Sequence, residues 1–211
     1  MKIMSSYGPR IADQKHPADH FAEALGAWML AMQTEPQDYL GQIYEEESVT
    51  NEHAGQYFTP EPLVELMMGP TCPELADDQI LADPAGCGSG RMLIAGIRKN
   101  RFATFVGVDT DLTCVHMTTL NCLVRNANSY IVHGNGLAMT AMGGFAVQRT
   151  FAGGELHRLS QDQAQKLLQS PFLKPASPPS PQPQPTITTA DPDQPLPTFK
   201  VNKKGQMGFD F

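Results

Sequence analysis

The sequence contains no apolar run approaching the roughly 18–20 residues that a bilayer-spanning helix needs. Its first ten residues lack the apolar stretch of a signal peptide. Cysteine is also scarce, with four residues in the chain. These four are irregularly spaced and form no C-x-x-C pair, which argues against a zinc site and a disulfide framework. We therefore expect a cytoplasmic protein with reduced, buried thiols and no membrane partner.

Positive charge is in short supply as well. The chain has 15 Lys and Arg against 22 Asp and Glu, a net charge of −7, which excludes a broad basic surface that grips nucleic acid alone. If the protein works on DNA, we expect it to do so with a partner. The cluster of Arg91, Arg98, Lys99 and Arg101 is interpreted as solvated charge. The pair His16 and His20 has no third ligand nearby in the sequence, so no metal site is expected.

With 211 residues, 41% of them hydrophobic, the chain has enough material for one core of ordinary size. Apolar periodicity predicts helices over 17–32, 37–46, 61–68, 91–99, 112–126 and 161–168, and strands over 80–82, 103–109, 130–133 and 145–151. The helical stripe that contains Trp28 is interpreted as core. Residues 171–197 hold 10 of the 18 prolines and predict a disordered tether.

These patterns divide the chain into five parts. They are a flexible arm (1–15), an N-terminal helical segment (16–70), an α/β core (71–168), a disordered Pro-rich linker (169–205) and a terminal peptide (206–211).

The stretch 79–90, Q-I-L-A-D-P-A-G-C-G-S-G, is the centre of the sequence. A short apolar strand leads to Asp83 and then to three glycines ahead of a predicted helix, which is typical of a turn that lets backbone approach a ligand of nucleotide type. An acid about 20 residues later, Asp109, is placed to accept from ribose hydroxyls. Strands and helices alternate over 79–136, so we expect a parallel sheet with its ligand at the carboxyl ends of the strands.

Four motifs occur in order: G-Q-Y-F-T-P, D-P-A-G-C-G-S-G, G-V-D-T-D and H-G-N-G-L. Together with D-Y-L-G-Q-I-Y ahead of the first, they resemble the adenine-N6 DNA methyltransferases, in particular the modification subunits of type I restriction systems. The resemblance spans roughly residues 37–137. It implies a partial Rossmann-like S-adenosylmethionine-dependent methyltransferase fold, S-adenosylmethionine as cofactor, DNA as substrate and a partner subunit.

The resemblance also assigns roles to residues. Tyr57, Phe58 and Thr59 would cover the cofactor and hold its amino-acid end, although by itself this segment favours a packed helix entry over a ligand-holding loop. Asp83 would face the ammonium group, Asp109 the ribose and Asn135 the adenine. The turn residues that would line the methionine part are Ala85, Gly86, Gly88 and Ser89. A dinucleotide site explains the turn less well than an S-adenosylmethionine site does. Asp83 would repel a pyrophosphate, and the third glycine of G-x-G-x-x-G would fall at Arg91.

Two features depart from the family. Asn135 stands where the family usually has Asp, so the hydrogen bond to the adenine amino group would be accepted without a charge. The Asp/Asn/Ser-Pro-Pro-aromatic motif that aims the target amine is missing, and Ser177-Pro178-Pro179-Ser180 lacks its aromatic residue. We therefore assign no catalytic residue and do not expect this chain to transfer a methyl group by itself.

The predicted strands fill only part of such a fold, with room for three or four strands, and would leave an open sheet edge. A second copy, another subunit or the segment 145–168 could cover that edge. The alternative to a cofactor-binding methyltransferase-like protein is a non-enzymatic adaptor acting with DNA modification or replication proteins.

The last six residues are similar to the bacterial sliding-clamp-binding peptide, with Gln206, Met207, Phe209 and Phe211 as the contact residues. Docking onto the protein's own sheet edge, or no function, are the alternatives for this segment.

Overall fold

The computed structural model describes residues 16–49, 58–170, 199–201 and 207–209. The chain divides into two compact units, residues 1–174 and 175–211. The first unit contains three helices, α1 (Pro17–Thr34), α2 (Tyr39–Val49) and α3 (Glu61–Thr71), followed by an α/β part. The elements of that part are β1 (Ile80–Asp83), α4 (Arg91–Lys99), β2 (Thr104–Asp109), α5 (Leu112–Val124), β3 (Ser129–Asn135), β4 (Thr140–Thr150), β5 (Gly153–Leu159) and α6 (Gln161–Leu168).

A five-stranded sheet in the order β1-β2-β3-β4-β5 forms the centre of the first unit. Strands β1, β2 and β3 are parallel, with Ile80 opposite Thr104 and Phe105 opposite Ser129, as the alternating pattern predicted. Strands β4 and β5 continue the sheet in antiparallel pairing. The fold is the partial Rossmann-like α/β fold expected from the sequence.

Alternating side chains of the strands point to opposite faces and build two cores. On one face, Phe105 and Ile131 pack with Leu93 and Ile97 of α4 and Val115 of α5. On the other face, the buried residues that pack together include Val106, Val108, Val132, Ala164 and Leu168, the last two from α6. Helix α3 lies against α4 through Val64, Met68 and Ala95.

The segment after β3 corrects the expected strand count. A single strand was predicted over 145–151, whereas the described residues there form the hairpin β4–β5, which gives this sheet five strands rather than three or four. Strand β5 was missed because it is an edge strand with exposed polar side chains such as Glu155, His157 and Arg158, which leave little apolar alternation to detect. The hairpin and α6 cover the side of β3. Among the described residues, no strand pairs with the outer edge of β1.

The apolar stripe of α1 was predicted to be core, and this was wrong. Only Met32 of this helix is buried, while Phe21, Leu25 and Met29 are exposed and Trp28 is half-buried. The helix itself is where the pattern places it, with Pro17 in the first turn and Asp19 accepting from the backbone N–H of His16. Amphipathic spacing fixes which face is apolar, but it does not say whether another element covers that face.

The second unit is described only in β6 (Phe199–Val201) and β7 (Met207–Phe209), which pair in antiparallel fashion with Phe199 opposite Phe209. Strand β6 falls within the segment 169–205 that was predicted to be a linker. Residues 171–198 and 202–205 of that segment lie outside the described residues. In the described part of the chain, no helix combines the length and apolar character required of a membrane span.

Candidate functional site

The Gly-rich turn connects β1 to α4, as the sequence predicted. Gly88 and Gly90 adopt φ values of +56° and +92°, where a side chain is strained, and Gly90 is the residue that precedes the helix. A Cβ atom built on Gly88 would lie 2.7 Å from Cδ1 of Phe58. The turn is tied to the next strand by a 2.9 Å hydrogen bond from the N–H of Cys87 to the carbonyl of Val108. These glycines are required by backbone conformation and by the close approach of an aromatic ring.

A pocket with a volume of about 220 Å³ lies over this turn, at the carboxyl ends of β1 and β2. Of the predicted site residues, it is lined by Phe58, Thr59, Asp83, Gly86, Gly88, Ser89 and Asp109. The other lining residues are Cys87, Arg91, Met92 and Cys114, which the sequence did not single out as ligand-facing. The fold therefore brings seven of the ten predicted residues to one cavity.

Three predicted residues lie elsewhere. Tyr57 is outside the described residues. Ala85 is exposed on the turn beside Gly86 and does not line the cavity. Asn135 is exposed at the end of β3, where its Oδ1 accepts a 2.9 Å hydrogen bond from the N–H of Ala138. The loop after β3 nevertheless adjoins the turn, because a Cβ on Gly136 would lie 1.8 Å from the carbonyl oxygen of Pro84.

Asp109 fixes the turn through its carboxylate. One oxygen accepts from the N–H of Gly88 and the other from the N–H of Asp111, each at 2.8 Å. Each carboxylate oxygen has two lone pairs, so both can still accept from a ligand. The residue predicted to hold ribose hydroxyls thus also connects β2 to the Gly-rich turn.

Asp83 is the second carboxylate of the pocket. Burial, with a further contribution from the negative charge of Asp109, raises the pKa of Asp83 to about 6. A raised pKa means that the charged form lacks sufficient stabilisation in the described structure, and a cation placed beside it would supply that stabilisation. A cation bound beside Asp83 would therefore lower its pKa again.

The two cysteines that line the pocket are neutral thiols. Burial raises the pKa of Cys87 well above its ordinary value and that of Cys114 to about 12. Since the thiolate is the nucleophile, neither residue is suited to covalent catalysis. In the part of the chain that the structure describes, no group of three or more His, Cys, Asp and Glu residues could hold a metal ion.

Beneath the pocket lies a buried polar network that the sequence interpretation missed. Asp38, fully buried ahead of α2, accepts hydrogen bonds from Nε of Arg91 at 2.8 Å, from the hydroxyl of Ser89 and from the N–H of Gly41. Asn121 of α5 donates to the carbonyl of Ser89 at 2.9 Å. The network connects the first residues of α2, the Gly-rich turn and α5.

Arg91 is the central cation of this network, and its interpretation as solvated charge was wrong. The residue is only 7% exposed. Its guanidinium also donates hydrogen bonds to Glu45 at 2.5 Å and to the carbonyl of Thr59 at 3.1 Å. Burial lowers the pKa of Arg91, but the hydrogen bonds that its guanidinium donates to Glu45 and Asp38, and the charges of these carboxylates, outweigh that effect and the net shift of the pKa is upward. The sequence feature that could have indicated this ion pairing is the stretch 38–45, D-Y-L-G-Q-I-Y-E, which has an acidic residue at each end.

Phe58 is held over the turn by the same residues. Its N–H donates to Glu45 at 3.0 Å, and the guanidinium of Arg91 lies 5.5 Å from its ring centre, within cation–π range. The ring of Tyr44 is 5.8 Å away. Phe58 is therefore both a packed helix entry and a wall of the pocket, so the two interpretations of this segment are compatible.

Comparison with known protein families gives one finding. The sequence profile described as N-6 DNA Methylase matches residues 35–148, which is more than half of the 211 residues and includes α2, the pocket and β1 to β3. Comparison with curated proteins gave no match, and neither did comparison with solved structures. The chain has the fold, the motifs and the profile of DNA-methyltransferase-like proteins, and it belongs to the N-6 DNA methylase family.

Proposed function

We propose that this chain binds S-adenosylmethionine in the pocket over the Gly-rich turn and takes part in adenine-N6 methylation of DNA. The observation that carries the proposal is the pair of carboxylates, Asp83 and Asp109, at the ends of neighbouring parallel strands on either side of that turn. Family membership supports the reaction class.

The residues present fit this cofactor in charge and in shape. Asp83 would hold the ammonium group of the amino-acid end, and Asp109 would accept from the ribose hydroxyls. The missing Cβ atom of Gly86 leaves room for the methionine part, and Phe58, which packs on Gly88, would form the wall beside it. When bound, S-adenosylmethionine supplies an electrophilic methyl group on a sulfonium ion.

The pocket is poorly matched to a dinucleotide. A pyrophosphate would lie beside two carboxylates, one of which is already poorly stabilised as an anion. Among the described residues, Arg91 is the only Arg or Lys that lines the pocket, and its guanidinium is hydrogen-bonded to Asp38, Glu45 and the carbonyl of Thr59. No cation among the pocket-lining residues is thus left to neutralise phosphate charge.

Calorimetric titration of the full chain with a panel of ligands tests this proposal. We expect saturable heat with S-adenosylmethionine and with S-adenosylhomocysteine, and none with NAD. In the Asp83→Ala variant, affinity for S-adenosylmethionine should fall by at least about tenfold, because a charge-assisted contact to the ammonium is lost. Binding of NAD in preference to S-adenosylmethionine would overturn the proposal.

We further propose that the group that orients the target amine is not supplied by this chain. The supporting observation is that the sequence contains a single Pro-Pro pair, in Ser177-Pro178-Pro179-Ser180, with no aromatic residue after it. That segment lies outside the described residues. Without a side-chain oxygen and a stacking aromatic at the acceptor, the flipped adenine would be neither positioned nor polarised.

The same observation supports a second candidate, an adaptor that retains the fold without turnover. Incubation of the full chain with methyl-labelled cofactor and adenine-containing DNA separates the possibilities. We expect no label in DNA with this chain alone, and clear incorporation would contradict the missing acceptor site. If this chain shows no heat with S-adenosylmethionine in calorimetry, and Asp83→Ala leaves that result unchanged, the adaptor function is supported.

A further inference from the structure

An apolar groove lies on the N-terminal helices, with a volume of about 670 Å³. It is lined by Phe21, Ala24, Leu25, Ala27, Trp28 and Ala31 of α1, by Tyr39, Leu40 and Ile43 of α2, and by Leu120 of α5. Apart from the Tyr39 hydroxyl and the Trp28 indole N–H, these side chains are hydrocarbon. The groove is separate from the cofactor pocket, and no residue lines both.

The groove presents a continuous set of apolar side chains to solvent. Phe21 is 68% exposed and Ile43 is 57% exposed, and both are flanked by further apolar side chains of the same surface. A contiguous apolar patch of this kind on a folded domain generally marks an interaction site. None of the described elements covers it.

The shape of the groove indicates what kind of element fits. Its two long walls are α1 and α2. The apolar side chains of α1 that line it recur at positions 21, 24, 25, 28 and 31, with spacings of three and four. A trough of this form accepts the apolar face of a third helix, whose side chains at i, i+3, i+4 and i+7 enter it.

The charge around the groove narrows the choice of occupant. Residues 16–49 contain no Lys or Arg, and Glu46 and Glu47 are exposed acids near the end of α2. Glu46 and Glu47 follow Ile43 by three and four positions and therefore lie on the groove side of α2. A second copy of this chain would bring the same acids into apposition, which like-charge repulsion disfavours.

We infer that the groove of α1 and α2 is a docking site for an amphipathic helix of another protein, with an apolar stripe bordered by Lys and Arg. The apolar stripe would provide affinity, and the basic border would provide orientation and a faster encounter. This inference does not depend on cofactor binding.

A designed peptide tests the inference on the full chain. The probe is an amphipathic peptide of about 18 residues with leucine at i, i+3, i+4 and i+7 and lysine elsewhere. Its control has glutamate in place of every lysine. Trp28 is the only tryptophan of the sequence and lines the groove, so its fluorescence reports occupancy directly.

We expect saturable change of Trp28 emission with the lysine peptide, binding at least about tenfold weaker with the glutamate peptide, and weakening as salt rises. Phe21→Glu and Ile43→Glu should weaken binding by about tenfold or more. Phe151→Glu is the matched control, because Phe151 is fully exposed, does not line the groove and should leave binding unchanged.

Three results would overturn the inference. The first is absence of saturable binding, or equal binding of the two peptides. The second is a dimer in sedimentation that Ile43→Glu converts to monomer, which would assign the groove to a second copy. The third is a shift of Trp28 emission when residues 1–15 are deleted, together with loss of the competition between that segment and the peptide. This result would assign the groove to residues 1–15.

Discussion

Nε of Arg91 lies 2.8 Å from Oδ2 of Asp38, although 53 positions separate the two residues in the chain. Asp38 is fully buried, and Arg91 is the first residue of the helix that follows the Gly-rich turn. The ion pair thus anchors the start of α4 to the N-terminal helices. Asp38 also accepts a hydrogen bond from the hydroxyl of Ser89 and so fixes this residue at the floor of the pocket.

Replacement of Asp38 tests the structural weight of this pair. Asp38→Asn keeps the shape but removes the charge, which leaves Arg91 buried with Glu45 as its remaining carboxylate. We expect a loss of about 3 kcal/mol in the free energy of unfolding, measured in urea, because breaking a buried pair costs more than forming it gains. Glu45→Gln is the matched control. Its side chain is 30% exposed, so its loss should cost about 1 kcal/mol.

Gly88 should not tolerate a side chain. Gly88→Ala places a Cβ at φ +56° and 2.7 Å from the Phe58 ring, which must then move away from the turn. We expect a loss of about 1–3 kcal/mol in stability, measured in urea, because strained backbone and steric overlap add. The control is Gly26→Ala in the exposed middle of α1, where no atom lies within 4 Å and stability should rise by about 0.5–1 kcal/mol. Equal effects at the two positions would contradict the close approach of Phe58.

Asp83 should make stability depend on pH in a defined direction. Its pKa is raised from 3.8 to about 6 in the folded protein, so folding favours the protonated carboxyl. Its stabilising contribution is complete below about pH 4 and is lost as pH rises through about 6. Relative to Asp83→Asn, the wild-type chain should therefore lose about 2 kcal/mol between these limits, allowing for solvent around a half-buried group. Thermal unfolding of both proteins across this range measures the difference, and parallel curves would contradict the raised pKa.

We propose that the terminal peptide binds the bacterial sliding clamp. Its motif residues Met207 and Phe209 lie in β7, opposite Val201 and Phe199 of β6, and an extended segment is the form in which such peptides are recognised. Deletion of residues 206–211 should abolish binding to purified clamp in surface plasmon resonance. Asp210→Asn is the control and should bind as the intact chain does, whereas unchanged binding after the deletion would remove the proposal.

The local parts of the fold could be predicted because they depend on short-range pattern. Helix α4, strand β2 and the Gly-rich turn follow from apolar spacing and from glycines whose backbone conformations other residues avoid. The shared pocket of Asp83 and Asp109 followed from a topological rule, since parallel strands bring their carboxyl ends to one edge.

The remaining features depend on contacts distant in sequence. Arg91 resembles any surface arginine until Asp38 is known to lie beneath it, and no periodicity reports that pairing. The stripe of α1 has the same spacing whether it is covered or open. Strand β5 carries polar residues because it forms the sheet edge, which becomes known only when the order of strands is known.

The most direct measurement for the central proposal is a crystal structure of the full chain with S-adenosylmethionine. We expect the ligand in the cavity beside Phe58 and over Gly86, with its ammonium group within hydrogen-bond distance of Asp83 and its ribose hydroxyls at Asp109. A pocket that stays empty at saturating ligand concentration, or a ligand bound away from both carboxylates, would contradict the proposal.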